Sequence, residues 1–283
     1  TMAPLIAITG PTASGKTGLA LDLAERYDGE IICADSRTIY KGMDIGTAKP
    51  TAEEQARVPH HLLDVAEPGA AFAAKDFQVL AYRAIKDIRQ RGKVPFLVGG
   101  TGLYVDAVVL EYQWPEQVVD RKQFEALDNE KLVSLIKKQQ LPSPVNSANR
   151  RHLVNSLVRG GEAGKSRQSP REDTHVVAIA TDKKILETRI RERAQAMFAQ
   201  GVVEETKHLA AQYGWDSEAM TSNIYPIIRR VIEGEITEAE AVELFVVKDR
   251  QLAKRQITWL RRHDFVRWLP LEQAGPYIET ILG

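Results

Sequence analysis

The chain has 283 residues, 43% hydrophobic and 27% charged, and its 38 Lys and Arg balance 38 Asp and Glu. This length fits one large domain or two smaller ones, and the neutral balance argues against indiscriminate nucleic-acid coating while allowing a local basic face. The single cysteine excludes an internal disulfide, and there is neither an apolar run of about 18 residues nor a signal-peptide layout. We therefore expect a cytoplasmic protein with no membrane partner.

Residues 5–17 contain the most informative motif of the chain. A short apolar run, LIAIT, predicts a buried strand, and GPTASGKT follows with the G-x-x-x-x-G-K-[ST] spacing of a P-loop, typical of nucleotide-binding and ATP-binding proteins. Such a loop turns backbone N–H groups and the dipole of the next helix toward one phosphate group. Lys16 would contact the terminal phosphate, and the Thr17 hydroxyl would bind Mg²⁺. The candidate diphosphate-binding residues are Gly10, Thr12, Ala13, Ser14, Gly15, Lys16 and Thr17.

The segments after the P-loop alternate between helix and strand patterns. Apolar spacing predicts helices and buried strands in turn, over 17–27, 30–34, 73–91 and 94–98. This order predicts an α/β fold, a P-loop NTPase-like doubly wound parallel sheet. His60 and His61 lack a third ligand at metal-binding spacing, so we expect polar loop residues there, before a short strand over 62–65.

Two of the predicted strands end in polar residues. Asp35 follows the strand over 30–34, and Thr101 lies in the glycine-rich turn 99–102. Because the carboxyl ends of parallel strands line the ligand crevice, both side chains should face the same cleft as the P-loop. The alternative is structural, with Asp35 as a turn acid or helix cap and Thr101 as a helix N-cap. The glycines of this second turn predict a close approach of backbone to a ligand.

The alternating pattern stops near residue 113. Residues 114–147 hold several prolines, many charges and one helical stretch over 129–139, which predicts a small helical insertion within a core made of 1–113 and 148–283. The remainder is predicted to be largely helical, which gives the core a helical C-terminal part. Its predicted strands are 175–180 and 264–269, and its predicted helices are 149–160, 182–200, 202–213, 218–233, 238–262 and one at the C-terminus.

Two segments are basic within the neutral chain. Between 147 and 172, the acids Glu162 and Glu172 are outnumbered by Arg150, Arg151, Arg159, Lys165, Arg167 and Arg171. Between 248 and 262, the acid Asp249 stands among Lys248, Arg250, Lys254, Arg255, Arg261 and Arg262. Solvated charge is the default interpretation of such runs, and a nucleic-acid surface is the alternative.

The helix predicted over 182–200 carries Arg189 and Arg193 four residues apart, which places them on one face. In a P-loop protein, two arginines so placed suggest a lid over the phosphates. The alternative is ion pairing with nearby acids such as Glu187 and Glu192.

Two reaction classes are compatible with these features. A Walker-B acid of an ATPase or GTPase would end a strand well after the P-loop, whereas Asp35 ends the very next one. That layout suits a small-molecule kinase, which needs an acid near its acceptor hydroxyl. The basic segments and the insertion instead favour a large polyanionic acceptor such as RNA.

Four separated motifs resemble those of the tRNA dimethylallyltransferases, bacterial enzymes that prenylate the adenosine immediately 3′ of the anticodon. They are GPTASGKT at 10–17, GEIICADSRTIYKGMDIGTAKP at 29–50, VGGTGLY at 98–104 and AKRQITWLR at 253–261. The resemblance implies that the P-loop holds the diphosphate of dimethylallyl diphosphate, with Mg²⁺, in place of ATP. It also implies base flipping of the adenosine out of the tRNA anticodon stem-loop.

The resemblance further implies roles for individual residues. Asp35 would be the general base on the exocyclic amine of adenine, and Thr101 would bridge that amine and the departing oxygen. Arg189 or Arg193 would neutralise the charge that grows on the diphosphate. The 114–147 insertion would contact the anticodon stem. The implied tRNA-binding residues are Asp35, Ser36, Arg37, Thr38, Asn149, Arg150, Arg151, Lys254, Arg255 and Gln256.

The chain departs from the family pattern in its RNA-contacting parts. The 149–157 helix keeps its arginine pair but lacks the later Arg-Ala-Leu-Glu, the 222–227 element lacks Gly-Tyr-Lys-Glu, and the insertion is short. We therefore expect preserved chemistry with altered or weaker tRNA discrimination. We also expect a monomer, because no long apolar surface helix is left over once the sheet is covered. The alternatives are prenyl transfer to a free adenine nucleotide, a P-loop kinase, and a non-catalytic RNA-binding protein.

Overall fold

The computed structural model describes residues 2–144, 146–221 and 224–283. These residues form two compact units. The larger unit comprises the residues up to Val109 together with Ser169–Gly283, and the smaller unit comprises Leu110–Gln168. No helix in the described part of the chain is long and apolar enough to cross a membrane.

The larger unit is built on a sheet in which the described residues form six parallel strands in the order β3-β2-β4-β1-β5-β6. The central position of β1, with β4 on one side and β5 on the other, matches the predicted doubly wound sheet and confirms the α/β fold class. The strands are β1 (Leu5–Thr9), β2 (Gly29–Cys33), β3 (His60–His61), β4 (Val94–Val98), β5 (Thr174–Ala180) and β6 (Arg267–Pro270).

Helices cover both faces of this sheet. Ile6 and Ile8 of β1 face a core that includes Leu23 and Ile278, and Phe77 stacks on Tyr104. The described helices of this unit are α1 (Lys16–Arg26), α2 (Ala52–Arg57), α3 (Ala74–Gln90), α4 (Gly102–Val109), α7 (Lys183–Gln200), α8 (Val202–Tyr213), α9 (Glu218–Thr221), α10 (Tyr225–Ile232), α11 (Glu238–Leu260) and α12 (Leu271–Leu282). The smaller unit contains α5 (Asn129–Lys138) and α6 (Arg150–Val158).

Two local predictions were wrong. The third strand is His60–His61 and not 62–65, because Leu62 and Asp64 have φ angles of 66° and 56° and cannot continue a strand. The helix predicted over 218–233 is instead α9 and α10, and residues 222–223 between them lie outside the described residues. Pro226 stands in the first turn of α10, where a proline is tolerated, whereas it would break a continuous helix.

The smaller unit extends beyond the predicted insertion of 114–147 at both ends. It includes α6 because the apolar face of that helix, with Leu153 and Leu157, packs on Leu132 and Ile136 of α5. The residues that the sequence assigned to the core at 149–160 therefore belong to this unit.

Candidate active site

The P-loop has the backbone that its sequence predicts. Gly10, Ala13 and Gly15 have positive φ angles of 137°, 63° and 88°, and α1 begins at the next residue, Lys16. A Cβ atom at position 10 would lie 3.1 Å from the backbone nitrogen of Ile179, so this glycine also lets β5 approach.

Lys16 is half-buried and lines the cavity of the site. Its Nζ donates a hydrogen bond to the Pro11 carbonyl at 3.2 Å. Burial lowers the pKa of Lys16 to about 8, and the nearby carboxylate of Asp35 opposes that shift. The side chain therefore still carries its charge at neutral pH, where it can bind a phosphate group.

Hydrogen bonds join the turns that carry Asp35 and Thr101, beyond the ends of β2 and β4. The Ser36 amide donates to Thr101 Oγ1 at 2.9 Å, and Asp35 Oδ1 accepts from the Arg37 amide at 2.8 Å. The turn-acid interpretation thus holds for Oδ1, while Oδ2 has no hydrogen bond to the part of the chain that the structure describes. Thr38 is buried, and its hydroxyl donates to the Asp35 carbonyl.

A cavity of about 80 Å³ joins the P-loop to Asp35. Ile31, Cys33 and Val98 supply apolar lining, and burial raises the pKa of the Cys33 thiol, which is thus a small core group at neutral pH. The polar lining brings together most of the predicted chemistry, with Thr12, Lys16, Thr17, Asp35, Arg37 and Arg193.

The two arginines on one face of α7 both reach the P-loop. Arg189 donates to the Ala13 carbonyl at 3.2 Å, and Arg193 donates to Thr12 Oγ1 at 2.6 Å and to Asp249 at 2.7 Å. Only Arg193 of the pair lines the cavity with Lys16. The ion-pair alternative holds for Arg193, although its partner is Asp249 and neither Glu187 nor Glu192. Arg191, between the two, pairs with Glu243 and Glu187.

Gln256 lies inside the site, away from the exposed basic surface where the sequence placed it. Its Oε1 accepts from the Thr12 amide at 2.8 Å, and its Nε2 donates to the Gly100 carbonyl at 3.1 Å. The same amide group therefore ties the P-loop to the turn that carries Thr101. Its neighbours Lys254 and Arg255 are exposed.

The glycines after β4 serve packing within the protein. A Cβ atom at Gly100 would lie 2.4 Å from Gln256 Nε2, and one at Gly102 would lie 2.3 Å from the Trp259 ring. The close approach that the sequence predicted for a ligand is thus made by side chains of α11. Gly99 of the same turn lines the cavity.

In the smaller unit, two of the three predicted tRNA-binding residues make internal contacts. Asn149 caps α6 by accepting from the Arg151 amide at 2.9 Å. Arg150 donates to the carbonyls of Phe124 and Glu125 at 2.8 and 3.0 Å. Arg151, by contrast, is exposed.

Glu205 is a structural residue of the site that the sequence did not reveal. Its carboxylate accepts from the amides of Ile45 and Gly46 at 2.8 and 3.0 Å, and from the Tyr225 hydroxyl at 2.8 Å. It thereby holds the 41–50 loop, whose residues 47, 48 and 50 line the cavity. Nothing in the sequence near Glu205 signals this, because its loop partners lie about 160 positions away.

Tyr225 explains part of the departure at 222–227. Its ring is fully buried, and burial together with Glu205 raises the pKa of its hydroxyl, which stays protonated as the donor to Glu205. A Cβ atom at Gly46 would lie 2.9 Å from the ring. Here the segment supports the loop, while residues 222–223 lie outside the described residues.

Comparison with known proteins identifies the family. A family profile described as IPP transferase matches residues 38–263. A tRNA dimethylallyltransferase of Exiguobacterium is 39% identical over 93% of this chain and 88% of its own length.

Solved structures show the same architecture. A tRNA isopentenylpyrophosphate transferase from Bacillus halodurans superposes with a TM-score of 0.74 at 33% identity, covering 99% of this chain and 96% of its own. A eukaryotic dimethylallyltransferase acting on tRNA shares the fold, with a TM-score of 0.77 at 22% identity over 99% of this chain and 78% of its own. The chain therefore belongs to the IPP transferase family, that of the tRNA dimethylallyltransferases.

Proposed function

We propose that this protein transfers a dimethylallyl group from dimethylallyl diphosphate to the exocyclic amine of the adenosine 3′ of the anticodon in tRNA, releasing diphosphate. The observation that carries the proposal is the cavity in which Lys16, Arg193 and Asp35 converge. The cations can bind the leaving diphosphate, and the carboxylate can bind the acceptor amine. Both lie in the same cavity, as direct transfer from donor to acceptor requires.

The diphosphate of the donor is held by the P-loop. The amide groups at the start of α1 and the Lys16 ammonium bind its oxygens. The buried hydroxyl of Ser14 has no hydrogen-bond partner within the described residues and is a further group for this anion. Arg193, rather than Arg189, neutralises the charge that develops as the carbon–oxygen bond breaks, since Arg193 lines the cavity.

The donor set suits a Mg²⁺ ion bound jointly with the diphosphate. Thr17 is exposed at the start of α1 and lines the cavity. The described residues contain no cluster of three or more His, Cys, Asp or Glu that would form a complete metal site. Mg²⁺ characteristically binds through few protein oxygens together with phosphates and water. When bound, it would supply charge neutralisation for the diphosphate.

Asp35 acts on the acceptor. The Arg37 amide fixes Oδ1 of Asp35. Oδ2 takes a proton from the exocyclic amine of adenine while the amine nitrogen forms a bond to the allylic carbon. That carbon loses its bond to the diphosphate oxygen, so the electron pair leaves with the diphosphate. Thr101, 2.9 Å from the Ser36 amide, is positioned by that contact to hydrogen-bond the amine.

For tRNA, the exposed cations Arg151, Lys254 and Arg255 remain candidate phosphate contacts. Arg150 and Asn149 instead shape the helix that presents Arg151. We propose that the protein acts on tRNA as a monomer in the cytoplasm.

The test is the transfer of radiolabel from dimethylallyl diphosphate, with Mg²⁺, to unmodified tRNA, with free adenine nucleotide and ATP offered in parallel reactions. Label in tRNA supports the proposal. Label confined to the free nucleotide, or consumption of ATP with a small acceptor, would replace it by prenyl transfer to a nucleotide or by a kinase activity.

A further inference from the structure

Asp249 is a buried acid within a basic helix segment. Its side chain is only 4% exposed, although Lys248 and Arg250 flank it on α11. An isolated buried carboxylate is costly, so its position calls for a partner of opposite charge.

That partner is Arg193 of α7, which also contacts the P-loop. The terminal nitrogen NH2 of Arg193 donates to Asp249 Oδ2 at 2.7 Å and to Thr12 Oγ1 at 2.6 Å. Asp249 is thus two hydrogen bonds away from the loop that holds the diphosphate. The Nε atom of Arg193 is buried and has no hydrogen-bond partner within the described residues. This guanidinium can therefore donate one more hydrogen bond to a bound anion.

The carboxylate lies within the electrostatic reach of the other cations of the site. Its charge acts on both Lys16 and Arg37, which line the cavity with Arg193. An anion bound among these three cations therefore meets the fixed negative charge of Asp249 as well. In a site of low dielectric, such a charge reduces anion affinity.

We propose that Asp249 is a positioning residue that holds Arg193 against the P-loop and, by its negative charge, weakens the binding of inorganic pyrophosphate so that this product leaves. The inference rests on the proposed function. Its two parts are separable because an asparagine keeps the hydrogen-bond acceptor without the charge, whereas an alanine removes both.

The first experiment is a calorimetric titration of inorganic pyrophosphate with Mg²⁺ into the full chain. Asp249→Asn is expected to bind pyrophosphate about tenfold more tightly than the wild type, because a nearby charge in a partly buried site is worth at least that factor. Unchanged or weaker binding by a folded Asp249→Asn protein would overturn the charge effect. Should that variant not fold, Asp249→Ser makes the same test with a different neutral acceptor.

Glu243→Gln is the matched control, since it removes an acid of α11 that pairs with an α7 arginine on the solvent side. Its pyrophosphate affinity is expected to equal that of the wild type. Tighter pyrophosphate binding by Glu243→Gln would show that the loss of any acid of α11 has this effect. The charge effect would then not be specific to Asp249.

Single-turnover prenyl transfer tests the positioning part. Asp249→Ala is expected to transfer about tenfold more slowly, since an arginine freed of its acceptor is less well placed for the leaving group. Asp249→Asn should stay near the wild-type rate. A wild-type rate in Asp249→Ala would overturn the positioning role. The two proposals can fail separately. If neither the wild type nor any variant prenylates tRNA, but Asp249→Asn still binds pyrophosphate more tightly than the wild type, the proposed function fails and the charge effect stands.

Discussion

The two sides of the cavity are held together in different ways. On the diphosphate side, the P-loop is clamped by Arg189, Arg193 and Gln256, which come from helices 176 to 244 positions away in the sequence. On the acceptor side, Asp35 is fixed by the amide of Arg37, two residues further on. The position of the P-loop therefore depends on tertiary contacts, whereas the position of the Asp35 carboxylate depends on its own turn.

This difference suggests where the chemistry tolerates change. A substitution on α7 or α11 should alter the placement of the diphosphate while leaving the Asp35 turn intact. A substitution of Asp35 should remove proton transfer while leaving the diphosphate site intact. Gln256 is the exception, because its amide joins the P-loop to the Thr101 turn and so couples the two sides.

The largest effect is expected from Asp35→Asn. The single-turnover rate of prenyl transfer should fall by about 10²–10⁴, the usual contribution of a general base. The affinity for pyrophosphate, measured by calorimetry, should rise by about tenfold or more, because the lost negative charge of Asp35 acts on Lys16 more strongly than that of Asp249. The asparagine can still accept from the Arg37 amide, so the turn is kept.

The control for that substitution is Asp22→Asn, an exposed acid that pairs with Arg57 outside the cavity. Its rate should match the wild type. Loss of pyrophosphate binding in Asp35→Asn would contradict the separation of the two sides, because it would make Asp35 part of the diphosphate site.

Gln256→Ala should lower kcat/KM for the diphosphate donor by about tenfold, and the single-turnover rate by a similar factor. Removing the amide leaves the Thr12 N–H and the Gly100 carbonyl unpaired, which loosens both loops at a typical cost of about 1–3 kcal/mol. Gln251→Ala, an exposed glutamine on the same helix, is the matched variant. A Gln256→Ala effect confined to tRNA affinity would mean that this residue contacts RNA.

The pH dependence of kcat/KM for the donor tests whether the Lys16 ammonium binds the diphosphate. Because burial lowers the pKa of Lys16 to about 8, the charged form that binds diphosphate is complete below that pH and is lost above it. We expect kcat/KM for the donor to fall about tenfold per pH unit above pH 8. Bound diphosphate stabilises the ammonium, so the corresponding limb of kcat should lie at higher pH. A kcat/KM profile that stays flat to pH 9.5 would contradict the assignment.

The smallest effect on chemistry is expected from Glu205→Gln. Loss of the charged acceptor for the 44–46 amides should lower the free energy of unfolding by about 1–3 kcal/mol, measured by urea denaturation. The rate should fall only by a factor of about three, since the loop is one step removed from the reacting atoms. Glu204→Gln alters an exposed neighbour and should leave stability unchanged. Equal stability of both variants would show that the loop is held by other contacts.

The same division decides what the sequence can predict. The placement of Lys16 and Asp35 beside one cavity was predictable, because both follow buried strands that are consecutive in the chain and whose carboxyl ends meet at one edge of the sheet. The parallel sheet followed from the alternation of strand and helix patterns. Which of Arg189 and Arg193 lines the cavity was not predictable, because both share one helical face of α7.

The remaining parts of the site depend on long-range partners. Glu205 and Asp249 contact residues far away in the sequence. The basic residues around Asp249 suggested a surface segment, and nothing near it indicated a buried acid. The smaller unit was underestimated for a related reason. Its helix α6 has a basic start that resembles a surface feature, whereas its apolar face determines where the helix packs.

The central claim is that one cavity unites diphosphate release with activation of an adenine amine. The most direct test is mass spectrometry of nucleosides from unmodified tRNA, digested after incubation with this protein, Mg²⁺ and dimethylallyl diphosphate. We predict one new nucleoside, isopentenyladenosine, mapped to the position 3′ of the anticodon and absent with Asp35→Asn. An unmodified digest from a protein that still binds pyrophosphate would contradict the account.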